Sequence, residues 1–236
     1  MVPFKINQKS EGWHFDTSDS LEPGCIPDTV NNFSHLSQIY KQQDESYAGR
    51  FTVPILYDKQ TKLIVNNESS QIIRILNTAF NEFANPEDFY PENLRSEIND
   101  INSFVYEGIN NGVYRAGFAT SQSAYDSAVT LLFESLERVE SILISRKWLC
   151  GTVFTEADIR LFTTIVRFDA VYHTHFKCNV RMIHEFPGIY SWLKRVLDVP
   201  GVRETVDMNH IKKHYYMSHL HINPTGIVPK GLGWEL

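Results

Sequence analysis

Two short segments of this 236-residue chain carry residue types that together could recognise a peptide-like ligand. The first is Arg50-Phe51-Thr52-Val53-Pro54. A proline in a strand-like run is confined to an edge, where its missing N–H is not needed. If the Val53-Pro54 bond is cis, the Val53 backbone turns outward. Its N–H and C=O can then pair with an extended peptide as an added strand. The same proline would also suit an edge strand with no ligand. The second segment is Val65-Asn66-Asn67-Glu68-Ser69-Ser70, directly before a helix expected from Gln71. Ser at a helix start reads first as an N-cap. A helix N-terminus also offers free N–H groups to a carboxylate, while a neighbouring Glu can hold an amine. An α-amino-acid head group, such as a γ-glutamyl end, needs both at once.

The elements that must position these segments follow from periodicity. Residues 12–28, rich in Gly, Pro, Ser and Asp, read as loop, and residues 33–42 as a short helix. Two short apolar runs, residues 51–56 and 63–65, flank Asp58-Lys59-Gln60-Thr61 and read as a β-hairpin. Ile72, Ile73, Leu76, Phe80 and Phe83 then fall at helical spacing. From Pro86 onward the pattern is almost wholly helical, over residues 94–109, 121–144, 155–168, 188–197 and 206–216. Thr155-Glu156-Ala157-Asp158 is a capping box at the head of the apolar helix through Ile159, Leu161, Phe162, Ile165, Val166 and Phe168. The tail from Ile222 is irregular. The expected boundary lies near Asn85-Pro86: residues 1–85 an incomplete α/β domain, residues 86–236 an all-α domain.

Composition narrows the function class. Hydrophobic residues make up 42% and charged residues 21%, so a packed core is expected rather than disorder. The net charge of −6 comes with no basic stripe, which argues against a nucleic-acid partner. No run approaches the length of a membrane span, and residues 1–15 have no apolar leader core, so neither a membrane nor a secretory route is expected. Cys25, Cys150 and Cys178 are odd in number and widely spaced, which points to a reducing cytoplasmic setting rather than a disulfide framework. His173, His175 and Cys178, and the pair His210 and His214, read as packing residues; no metal site is expected.

Longer motifs carry a resemblance. Gly12-Trp13, residues 50–56, Ile64-Val65-Asn66-Asn67-Glu68-Ser69 and Ile72-Ile73-Arg74 resemble the glutathionyl-hydroquinone reductases, the Xi class of glutathione transferases. So do Asn110-Asn111-Gly112-Val113-Tyr114, residues 155–161, Val166-Arg167-Phe168-Asp169 and His175-Phe176-Lys177-Cys178-Asn179. His210-Ile211, His214-Tyr215 and Ile222-Asn223-Pro224 complete a match along nearly the whole chain. The resemblance implies an incomplete thioredoxin-like α/β domain followed by an all-α glutathione-transferase C-terminal domain. It implies glutathione as co-substrate, an aromatic quinol-type substrate and, because members often pair, a possible homodimer. Glutathione would bind through Trp13, Arg50, Phe51, Thr52, Val53, Glu68 and Ser69. Tyr114 would exchange a proton with the hydroquinone, and Tyr172 and Tyr215 would lower the pKa of the catalytic cysteine.

One departure bears on activity. Family members open their first helix with a Cys-Pro-Trp or similar motif, whose cysteine is the nucleophile, and this chain has none. Cys25 sits in a Gly24-Cys25-Ile26-Pro27 loop rather than at a helix start, and Cys150 and Cys178 fall in the helical half. The chain begins about where the second strand of the family's first domain should end. A shortened sheet would expose an edge and an apolar face, so lower stability or association is expected. Three readings follow: a reductase whose thiol is missing from this chain, a non-catalytic glutathione- or quinol-binding protein or subunit, and, least supported, a conventional transferase that activates glutathione with a tyrosine.

Overall fold

The computed structural model of the protein describes residues 12–15 and 23–231. In chain order its elements are α1 (Leu36–Gln43), β1 (Leu56–Asp58), β2 (Leu63–Asn66), α2 (Ser69–Thr78), α3 (Arg95–Val105), α4 (Gly112–Gly117), α5 (Gln122–Ser145), α6 (Glu156–Arg167), α7 (His173–His175), α8 (Pro187–Leu197) and α9 (Met208–Ser218). π-helical turns, Tyr106–Asn110 and Phe168–Tyr172, join α3 to α4 and α6 to α7. The chain forms two compact units, residues 1–86 with 209–229, and residues 87–208 with 230–236. Residues 209–229 thus group with the first unit and not with the helical one. Side-chain contacts account for this: the His214 ring on α9 stacks on Trp13 at 5.1 Å, and His210 Nε2 lies 3.5 Å from Cys25 Sγ.

In the first unit, β1 and β2 pair antiparallel, Tyr57 facing Ile64 and Asp58 facing Leu63. The turn between them is closed by Asp58, whose carboxylate accepts from the Gln60 N–H at 2.8 Å and the Thr61 hydroxyl at 2.9 Å. The expected first strand, residues 51–56, pairs only from Leu56 onward. Before Leu56, Pro54 has no N–H to give, and the carbonyls of Arg50 and Thr52 accept from tyrosine hydroxyls. The core of this unit is Leu36, Ile39 and Tyr40 of α1, covered by Trp13, Phe15, Phe33, Phe51, Val53 and Ile64, among others. Helix α2 stops at Thr78, short of the expected stripe's end, leaving Phe80 and Phe83 46% and 86% exposed. Only Ile72 of α2 is buried, so a longer helix would have found no core for its apolar face.

The second unit is a helical bundle whose centre is buried to completion at Ile98, Leu132, Leu136, Leu161 and Trp192. The capping box at the head of α6 forms as expected, with the Thr155 N–H donating to Asp158 Oδ2 at 3.0 Å. Asp158 does more than cap. Its Oδ1 accepts from the Leu149 N–H at 3.0 Å and from Trp192 Nε1 at 2.8 Å, so one buried carboxylate joins α6, the preceding loop and α8. Glu140 of α5 caps α8 from outside, accepting from the Gly188 and Ile189 N–H groups at 2.8 Å each. Among the described residues, no helix is long and apolar enough to cross a membrane, and no group of three or more His, Cys, Asp or Glu side chains could hold a metal ion.

Candidate functional site

The Val53-Pro54 bond is cis. Around it the backbone is held by two phenol hydroxyls. Tyr47 donates to the Arg50 carbonyl at 3.0 Å, and Tyr40 donates to the Thr52 carbonyl at 2.8 Å. The Tyr40, Tyr47 and Phe51 rings pack against one another with centroids 5.0–5.7 Å apart, which fixes where both hydroxyls point. Among the described residues, neither the N–H nor the C=O of Val53 makes a hydrogen bond. An open backbone pair at the end of an edge strand is the geometry that accepts an added strand.

The second turn closes on the first. Asn67 Nδ2 donates to the Tyr40 hydroxyl at 3.3 Å, so one phenol oxygen holds both Thr52 and the residue that leads into α2. The helix cap itself is Glu68 rather than a serine: its carboxylate accepts from the Ser70 N–H at 3.1 Å and the Ser70 hydroxyl at 3.0 Å. Ser69 is the first helical residue, exposed, and its N–H has no protein partner among the described residues. An exposed carboxylate beside a free helix N–H pairs an acceptor with a donor within one turn. This is the combination that an amino-acid head group requires.

Trp13 adjoins the short bridge between His14 and His35, and its carbonyl accepts from the Leu36 N–H at 2.9 Å, at the head of α1. Its ring stacks on His214, 13° from parallel. His214 meets Tyr215 edge-on at 4.9 Å, and Tyr215 is 5% exposed. Tyr215 therefore belongs to the first unit, while Tyr114 and Tyr172 belong to the second.

Tyr114, half-buried on α4, and Tyr172, at the end of the π-helical turn, are brought together with ring centroids 6.0 Å apart. Phe176 stacks on Tyr172 at 5.5 Å and meets Tyr114 edge-on at 5.4 Å, and Phe118 closes the cluster. The result is an aromatic wall with a phenol at its half-exposed position, suited to a flat ring substrate. All three cysteines are free and buried. Burial pushes the Cys150 thiol up to about 11 and the Cys178 thiol up to about 12. Neither is an activated nucleophile, because thiolates are stabilised by exposure and positive charge rather than by an apolar interior.

Sequence reasoning missed Tyr40. Tyr40 carries no local signal of its role, because both partners of its hydroxyl are set by the fold. His214 was read as a packing residue, and the structure adds which ring it packs on, that of Trp13.

Comparison with known proteins bears on these features directly. Residues 122–195 match the family of the glutathione S-transferase C-terminal domain. The chain is 51% identical over 221 residues to the glutathionyl-hydroquinone reductase PcpF of Sphingobium chlorophenolicum, covering 93% of this chain and 69% of that protein. It is 50% identical over 221 residues to the glutathionyl-hydroquinone reductase YqjG of Escherichia coli K-12, covering 93% of this chain and 66% of that one. The glutathione-bound structure of YqjG superposes with a TM-score of 0.91 at 48% identity, over 96% of this chain and 73% of that chain. The glutathione transferase Xi of Phanerochaete chrysosporium superposes with a TM-score of 0.92 at 48% identity, over 98% and 78%. The chain thus spans about two thirds of the length of the two reductases it matches. Its fold is that of a glutathione transferase, a thioredoxin-like α/β part followed by a helical part in which residues 122–195 match the C-terminal domain family. The chain belongs to the glutathionyl-hydroquinone reductases, the Xi class of the glutathione transferases.

Proposed function

We propose that this chain provides the glutathione- and quinol-binding frame of a glutathionyl-hydroquinone reductase, and that the thiol of the reaction is none of its three cysteines. The observation that carries the reading is the Tyr40 hydroxyl, which gathers the Thr52-Val53 turn and the head of α2 into one place. In this reading glutathione lies as an added strand on Val53, with its γ-glutamyl end at Glu68 and Ser69 and with Trp13, Arg50 and Phe51 lining it. A thiolate attacks the glutathionyl sulfur of the substrate and forms a protein–glutathione disulfide. The aromatic carbon that leaves takes a proton from the Tyr114 hydroxyl and becomes the hydroquinone. A second glutathione, through its thiolate, displaces the protein sulfur and leaves as oxidised glutathione. Tyr172 and Tyr215 serve by donating hydrogen bonds to the attacking thiolate.

The test is a calorimetric titration of reduced glutathione, paired with a turnover assay on a glutathionyl-hydroquinone. Both are run on this chain and on a form extended at its N-terminus by a segment bearing Cys-Pro-Trp. Binding in both forms with turnover only in the extended one is the expected result. Turnover by the chain alone that survives Cys25→Ser would overturn the reading. A second reading, a glutathione-binding protein without catalysis, is favoured by the burial of every cysteine. It predicts binding in both forms and turnover in neither.

A further inference from the structure

Tyr40 is buried, 5% exposed, and its hydroxyl is fully committed. It donates to the Thr52 carbonyl at 2.8 Å, lies 3.3 Å from the Thr52 hydroxyl, and accepts from Asn67 Nδ2 at 3.3 Å. A phenol has one proton to give and two lone pairs to receive, so these three contacts use its whole capacity. The consequence lies in the next peptide. The Thr52–Val53 bond is trans, and a trans peptide carries its C=O and N–H on opposite sides. Holding the Thr52 oxygen toward Tyr40 therefore turns the Val53 N–H away from the helix and toward whatever lies outside. The same oxygen, through Asn67, fixes the approach to Glu68 and Ser69.

We infer that Tyr40 is a positioning residue for glutathione: it touches no ligand but sets the Val53 peptide plane and the head of α2 in register for one extended tripeptide. This rests on the reading that glutathione binds at those two turns. Two other arrangements would serve less well. A phenylalanine at position 40 would keep the ring contacts with Tyr47 and Phe51 but leave the Thr52 carbonyl free to turn. A donor shared with only one turn would hold the backbone without coupling it to α2.

Tyr40→Phe separates these effects, because it removes the hydroxyl and keeps the ring. Calorimetry on the whole chain is expected to show glutathione binding weakened about five- to tenfold, as for the loss of one or two modest hydrogen bonds. The Tm is expected to stay within about 3 °C. The amide resonance of Val53, which should move on adding glutathione to the parent chain, is expected to move less in the variant, a readout that a purely structural role for Tyr40 would leave alone. Affinity within about twofold of the parent overturns the inference while leaving the glutathione site standing. If Tyr40→Phe lowers the Tm by more than about 8 °C, the exposed Asn67→Ala decides. A matching loss of affinity there supports the inference, and unchanged affinity overturns it. No binding of glutathione by the parent chain would be the failure of the site itself, seen before any variant is compared, and the inference falls with it.

Discussion

Gly117 lies so close to Phe176 that a Cβ built on it would sit 2.2 Å from the ring. Gly117 closes α4, the helix that carries Tyr114, and Phe176 stacks on Tyr172. The approach of α4 to the stretch after α6, and with it the 6.0 Å spacing of the two phenols, depends on a side chain that is absent.

Gly117→Ala must push α4 or Phe176 aside, since neither backbone nor a fully buried ring can yield cheaply. The expected cost is about 3 kcal/mol, at the upper end for an overpacked core. For a chain of this size that corresponds to a Tm lower by roughly 6–12 °C in a thermal melt. A Tm within about 2 °C of the parent would show that the cluster has room the structure does not contain.

The buried thiols set a chemical expectation. With Cys150 and Cys178 raised to about 11 and about 12, less than about 0.1% of either is thiolate at pH 8. Ellman's reagent should therefore find almost no reactive thiol in the folded chain and all three cysteines once it is unfolded in urea. A fast-reacting thiol in the native protein, mapped to Cys25 by its loss in Cys25→Ser, would contradict the burial of that side chain.

Glu140 is 6% exposed and holds two N–H groups at the start of α8. Glu140→Ala leaves both donors buried without a partner, at a cost of about 3 kcal/mol in chemical denaturation. Glu140→Gln keeps one acceptor oxygen and should fall between the variant and the parent. Equal stability of the alanine form and the parent would mean that water reaches the helix end.

Asp28 supplies a pH test. Burial alone would raise its carboxyl, but N–H groups of Asn31, Val30 and Phe33 donate to it and hold it below its ordinary value of 3.8. A carboxylate with a lowered folded pKa adds stability above the unfolded value, and that stability is lost as pH falls through the folded one. Asp28→Ala is expected to destabilise by about 1–2 kcal/mol at neutral pH. The two proteins should converge as pH falls through the folded value, where the parent's carboxylate becomes protonated. A gap that stays constant down to that pH would assign the loss to packing instead.

Much of the fold was legible because it is written in short-range pattern. The Thr155–Asp158 capping box, the 3.6-residue periodicity of α5 and the hairpin around Asp58 each depend on residues within a few positions of one another. The expected strand at residues 51–55 does not form, and one reason is held by no local pattern: the Thr52 carbonyl accepts from Tyr40, 12 positions away. The extent of α2 failed similarly, since an apolar stripe predicts a helix only as far as a core exists to receive it.

By itself, then, the sequence determined the family, the two-part architecture, the edge proline at Val53-Pro54, the turn at Glu68-Ser69 and the absence of a Cys-Pro-Trp motif. Each is a matter of residue identity or close spacing. Tertiary structure alone decided that one hydroxyl on α1 joins Thr52 to Asn67, 27 positions along the chain from Tyr40, and that α9 returns to stack His214 on Trp13. It also decided that Glu68 rather than a serine caps α2, and that Tyr215 groups with the first unit while Tyr114 and Tyr172 belong to the second. A hydrogen bond or a ring stack is specified by where two groups meet in space, and that meeting follows from packing the whole core, not from either residue's neighbours in sequence.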